Sequence, residues 1–171
     1  FLAALCSLIP FSAQGVEKEA TDEKVERLDS VVVSSSRAGK NTPVTFTMVG
    51  KDELRRSNPI NSLPMNLALH PSVVSLNEGG TGLGYSKMTV RGSKGSQINV
   101  TLNGITLNDA ESQEVFWVNI PALSSMISSV QLQRGLGTSA NGAGAFGASI
   151  NMSTASVSPE PFGSAEMSVG S

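Results

Sequence analysis

The sequence is poor in the residues that carry most protein chemistry. Its 171 residues include one cysteine, one histidine, one tryptophan and one tyrosine, and aromatics make up 5% of the chain. Cys6 lies in the apolar opening run, so the remainder has no thiol for a disulfide or a Cys-based metal site. Lipid attachment at Cys6 is disfavoured, because bulky Leu5 stands where lipoprotein processing takes a small residue. The single histidine, His70, precedes Pro71 with no evident carboxylate or thiol partner, which leaves no nucleophile and base on which to build an enzyme. Neither sign of charge dominates: 12 basic and 14 acidic residues give a net charge of -2 and no electrostatic reason to expect nucleic acid. No apolar run reaches the ~20 residues that span a bilayer as a helix.

Glycine, in contrast, is abundant, at 17 of 171 residues, above the usual ~7%. The chain is thus rich in turns and poor in core anchors, and its length suits one folded unit with extensions. Residues 1–13 (FLAALCSLIPFSA) form an apolar run ending in small residues, the size of the ~7–15-residue apolar region of a secretory signal. They are read as a partial signal peptide whose basic beginning precedes Phe1. Residues 14–41 are a polar leader without an apolar period. Within it, Val31, Val32 and Val33 precede three serines. That triplet reads either as an ordinary edge strand or as an extended peptide that adds itself to another protein's sheet through main-chain hydrogen bonds.

From Pro43 onward the periodicity becomes regular. Val44 to Val49 alternates as a half-buried strand ending at Gly50, and Lys51 to Arg56 suits one or two helical turns. Asn61 or Ser62 caps a second helix through Leu63, Leu67 and Leu69, with Pro64 tolerated in the first turn and Pro71 closing it. Asn77 to Tyr85 (NEGGTGLGY) is a loop, and it lacks the Gly-Lys-Ser/Thr ending of a phosphate-binding loop. Met88 and Val90 alternate up to Gly92, and Ile98, Val100 and Leu102 alternate up to Asn103-Gly104, a hairpin signal that starts a return strand at Ile105 and Leu107. A helix beginning at Asn119 to Pro121 carries Leu123, Met126 and Ile127. Val130, Leu132 and Arg134 then alternate as a strand, and Ala148 to Met152 forms the last one after a second glycine-rich segment. The expected order is βααββαβ. Asp109 and Glu111 share a polar loop without EF-hand spacing, so no metal is expected there.

Taken in order, these pieces resemble the TonB-dependent outer-membrane receptors. Asp29, Ser30, Val31, Val32 and Val33 resemble the Ton box. Met88 to Gly92 (MTVRG), Val100 to Ile105 (VTLNGI), Val130 to Gly135 (VQLQRG) and Gly142 to Asn151 (GAGAFGASIN) resemble successive signatures of the plug domain. Asn108 to Ser112 with Val115 to Asn119 is similar to Bacteroidetes-type members. Pro71-Ser72 departs from the family's Pro-Gly, so this turn is expected to be built differently, without glycine's freedom.

The resemblance implies an α+β plug with a small mixed sheet of four or five strands, short helices and glycine-rich loops, assigned to residues 42–155. Residues 156–171 would be a linker and the start of the first strand of a transmembrane β-barrel. It implies an energy-coupled importer, not an enzyme, in the outer membrane of a Gram-negative bacterium, with the N-terminal segment in the periplasm. Its partners would be TonB with the inner-membrane energising complex, the receptor's own barrel, and a scarce ligand such as an iron chelate, cobalamin or oligosaccharide. No cofactor is implied. Arg91 and Arg134 match family arginines that lock the plug to barrel carboxylates. Asn77, Tyr85, Asn108, Asp109, Glu111 and Trp117 are the candidate ligand-facing residues, although Trp117 is as well suited to packing on the sheet. The alternative reading is a secreted or periplasmic β-rich binding module that acts without a barrel.

Overall fold

The computed structural model describes residues 37–39, 42–57, 61–121, 123–137, 141, 144–159, 161 and 163. The proposed signal, most of the leader, the Ton-box residues Asp29 to Val33 and the terminal strand all lie outside the described residues.

A five-stranded sheet has the order β1-β6-β7-β4-β5, formed by β1 (Thr45–Gly50), β4 (Ile98–Leu102), β5 (Ile105–Thr106), β6 (Ile127–Arg134) and β7 (Ala148–Thr154). It is mixed: β4 runs parallel to β7, while β1 with β6, β6 with β7, and β4 with β5 are antiparallel. A separate antiparallel pair joins β2 (Val73–Asn77) to β3 (Ser86–Val90). Among the described residues there are three short α-helices, α1 (Lys51–Arg56), α2 (Leu63–Leu67) and α3 (Leu123–Met126). The hairpin turn between β4 and β5 takes the form its Asn-Gly pair favours, with Asn103 at φ 51° and Gly104 at φ 84°. Asn103 also ties the turn to β7, its amide donating to Thr154 Oγ1 at 3.0 Å while its carbonyl accepts from Thr154 N at 3.0 Å.

The two faces of the large sheet differ in chemistry. Val49, Val130, Leu132, Ile150 and Met152 occupy one face, each at most 1% exposed, and belong to one apolar cluster with Leu54 of α1, Leu67 of α2 and Leu123 of α3. Burying each such side chain contributes roughly 1.5–3 kcal/mol relative to exposure. The opposite face holds Asn99, Thr101, Gln131, Gln133, Ser149 and Asn151, and it too is buried. Thr101 Oγ1 donates to Asn151 Oδ1 at 2.7 Å across the parallel pair.

Several expectations need correction. Strand β2 falls where no strand was read: Val74 and Leu76 are exposed, at 68% and 60%, so its pattern lacks the apolar-in alternation that marks a strand. The third helix is only Leu123–Met126, preceded by a 3₁₀ turn at Trp117–Asn119, and Ile127 already belongs to β6. Strand β2 is therefore the one described strand that the sequence reading lacks. Ser62 precedes α2 without capping it, because its hydroxyl pairs with Ser86 Oγ at 2.7 Å instead. His70 also has a carboxylate neighbour after all, its Nε2 lying 3.8 Å from Glu53 Oε1.

Candidate functional site: an arginine corner and two loops

Arg91 and Arg134 are 43 positions apart, and the fold brings them together. Arg91 opens the tight turn between Val90 and Ser93, at φ 52°, with Gly92 following at φ 80°. A left-handed conformation is costly for a residue with a long side chain. It is held there by its backbone amide, which donates to Ser72 O at 2.9 Å. Ser72 itself sits at φ 68°. The serine thus adopts the very conformation that a glycine would take, and the expectation of a differently built turn is overturned.

The same turn receives the second arginine. Arg134, 9% exposed at the end of β6, donates from Nε to Pro71 O at 3.0 Å and from Nη2 to Thr47 Oγ1 at 2.7 Å. Arg91 Nη1 stands 3.5 Å from Arg134 O. Burial first, and then the positive charge of Arg91, depress the pKa of Arg134 below the ordinary arginine value. Among the described residues, no carboxylate oxygen lies within 4.0 Å of either guanidinium. The corner therefore holds two like charges against carbonyl and hydroxyl oxygens only. Nothing in the sequence marked Thr47, Pro71 or Ser72 as its supports, because two of the three contribute through backbone oxygens.

The loop residues divide into scaffold and surface. Asn77 Nδ2 donates to Leu83 O at 2.8 Å and to Ser86 Oγ at 3.0 Å, shaping the first loop, while Tyr85 stands 61% exposed. Asn108 bonds like a strand neighbour of β4: its Oδ1 accepts from Val100 N and its Nδ2 donates to Ile98 O, both at 2.8 Å. Asp109 Oδ2 accepts from Ser112 N at 2.8 Å and Ser112 Oγ at 3.0 Å. These two bonds hold its carboxyl below the usual carboxylate range. Glu111 is exposed. Trp117 is only 6% exposed and joins the apolar cluster, the packed one of its two expected placements. It also forms part of the wall of a cavity of about 170 Å³ between β3 and the second loop, with Met88 and Ile98 as further apolar lining and Lys87, Lys94 and Glu114 as polar lining. Lys87 is already paired with Glu78 at 2.8 Å.

Residues 38–149 match the family described as TonB-dependent Receptor Plug Domain. The chain belongs to that family. Its mixed sheet with few short helices is the plug fold, and solved structures share it. OprC, a copper transporter, superposes with a TM-score of 0.52 at 21% identity over 69% of this chain and 18% of its own. PfeA, the ferric enterobactin receptor of Pseudomonas aeruginosa, gives 0.52 at 16% identity over 67% of this chain and 18% of its own. The chain thus spans about a fifth of the length of these structures. No curated protein sequence matches it.

Proposed function

We propose that this plug occludes the lumen of an outer-membrane β-barrel and gates the energy-coupled import of a scarce ligand. The observation that carries the reading is the arginine corner. Two neighbouring arginines, one on a left-handed backbone and one buried, with no described carboxylate in reach, favour an anionic surface supplied from outside this unit. A barrel wall bearing carboxylates meets that need, and breaking such a buried pair would cost roughly 3–5 kcal/mol. The fold family supports residence inside a barrel lumen.

In this reading residues 1–13 are the remnant of a signal, residues 14–41 the leader, residues 42–155 the plug and residues 156–171 the passage into the barrel. Asp29 to Val33 form the Ton box, which faces the periplasm and pairs with TonB as an added strand. The ligand meets the loop-bearing surface around Tyr85, Glu111 and the cavity beside Trp117. Iron chelates, cobalamin or oligosaccharides are the cargo classes that suit a receptor of this kind. The role of the chain is occlusion and gating, not catalysis.

Calorimetric titration of the chain with the periplasmic domain of TonB tests the reading. Binding is expected for the native sequence and is lost in Val32→Pro, which removes a strand donor. Equal binding by both forms would remove the Ton box from the proposal. Absence of binding by the folded native chain would favour the module that works without a barrel.

A further inference from the structure

The hairpin of β2 and β3 leaves one strand edge open toward the cavity beside Trp117. Glu78 N donates to Tyr85 O at 3.0 Å and Arg91 N donates to Ser72 O at 2.9 Å, bonds that continue the β2–β3 ladder at its two ends. Bonded and non-bonded pairs alternate along an antiparallel ladder. Tyr85, Lys87, Thr89 and Arg91 therefore turn their backbone groups toward β2, while Ser86, Met88 and Val90 turn theirs away. Val90 has used its groups, exchanging bonds with Ser93 at 3.2 and 2.9 Å. Among the described residues, Met88 N and O have no such partner, and residues 86–89 line the cavity in succession. An open edge of this kind is a template for another strand.

The rest of the cavity suits what an added strand would carry. Its floor is apolar, with Met88, Ile98, Val100 and Trp117 each at most 6% exposed. Lys94 and Glu114 stand in its wall, and among the described residues neither is in an ion pair, whereas Lys87 is engaged by Glu78. One cation and one anion are thus open beside an apolar floor and a strand edge. We propose that this cavity takes a short extended peptide. Its central residue exchanges both backbone bonds with Met88, that residue's apolar side chain rests on the floor, and the peptide's carboxylate and ammonium meet Lys94 and Glu114. The other cargo classes fit less well. A sugar stacks on an open aromatic face, which the packed Trp117 does not offer, and a polyanionic chelate would find one unpaired lysine with a carboxylate in the same wall. The proposal gives the cargo a chemical class beyond those named above, and it rests on the import reading for its role in the receptor.

The full chain has a single tryptophan, so its emission reports the surroundings of Trp117 alone. The chain is titrated with the tripeptide Ala-Leu-Ala, with tryptophan emission and hydrogen exchange at the Met88 amide as readouts. Emission is expected to change saturably, and Met88 exchange to slow by about tenfold at a peptide concentration ten times the Kd. Methylating the leucine nitrogen of the peptide removes the donor to Met88 O and is expected to weaken binding roughly threefold to tenfold, the size of one net hydrogen bond. The double variant Lys94→Gln, Glu114→Gln leaves the apolar floor intact and is expected to lose a factor of roughly threefold to tenfold. The proposal is overturned if the tripeptide moves neither readout, if the methylated peptide binds equally well, if the double variant binds undiminished, or if maltotriose or citrate binds more tightly than the peptide. Absence of peptide binding in a chain that still binds the periplasmic domain of TonB sinks this ligand class and leaves the import reading in place. Peptide binding without TonB binding does the reverse.

Discussion

The two faces of the five-stranded sheet bury their side chains about equally, yet they hold the protein together by different physics. On one face, aliphatic side chains from β1, β6 and β7 meet α1, α2 and α3, and their attraction is non-directional and grows with the area removed from water. On the other, amides and hydroxyls of β4, β6 and β7 bond to one another, to Arg37 and Ala38, and to Asn141, with Ser149 Oγ left without a partner. Directional bonds need their partners in place and return little net energy against water. A sheet built this way is held by apolar packing on one side and by directional bonds on the other.

That contrast is broken most severely from the apolar side. Leu132→Ala, at a position with no exposure, is expected to cost about 2–5 kcal/mol through lost burial and the cavity it leaves, seen as a lower midpoint in urea. Gln131→Ala on the opposite face leaves Ala38 N and O unbonded in the interior and is expected to cost less, about 1–3 kcal/mol. Equal losses for the two would mean that the faces do not differ as described. The finest probe is Arg91→Gly. In the chain by itself it relieves a left-handed backbone and the repulsion felt by Arg134, and thermal melting is expected to show no loss or a gain of up to ~1 kcal/mol. In a whole receptor the same change should weaken the seating of the plug. A loss of stability in the isolated chain would instead make Arg91 a structural residue.

Much of this frame was legible in the sequence. Alternation located β1, β3, β4, β6 and β7 to within a few residues, and Asn103-Gly104 announced its turn. Alternation marks Val130, Leu132 and Arg134 as one face but is silent on the other, where Gln131 and Gln133 are both covered. A polar residue under a polar cover has the same sequence signature as one in solvent. Strand β2 was missed for the converse reason, since its apolar Val74 and Leu76 point outward. The arginines of the corner were named in advance, but their meeting at Pro71 and Ser72 was not, because backbone carbonyls and a left-handed serine leave no trace in residue type. Asn108, expected among the candidate ligand-facing loop residues, has its side chain bonded to the backbone of β4, which residue type alone does not announce.

The strand order β1-β6-β7-β4-β5 has one more consequence, for how the chain folds as it is made. Thr45 pairs with Arg134, and Ile98 pairs with Ala148. A chain growing from its N-terminus therefore closes two local hairpins, β2 with β3 and β4 with β5, long before β1 finds a neighbour. The central strands arrive last, so the main core has no template until residues 127–154 have emerged. Closing such distant pairs slows folding, so until the last strands are made the chain holds two hairpins and no finished sheet.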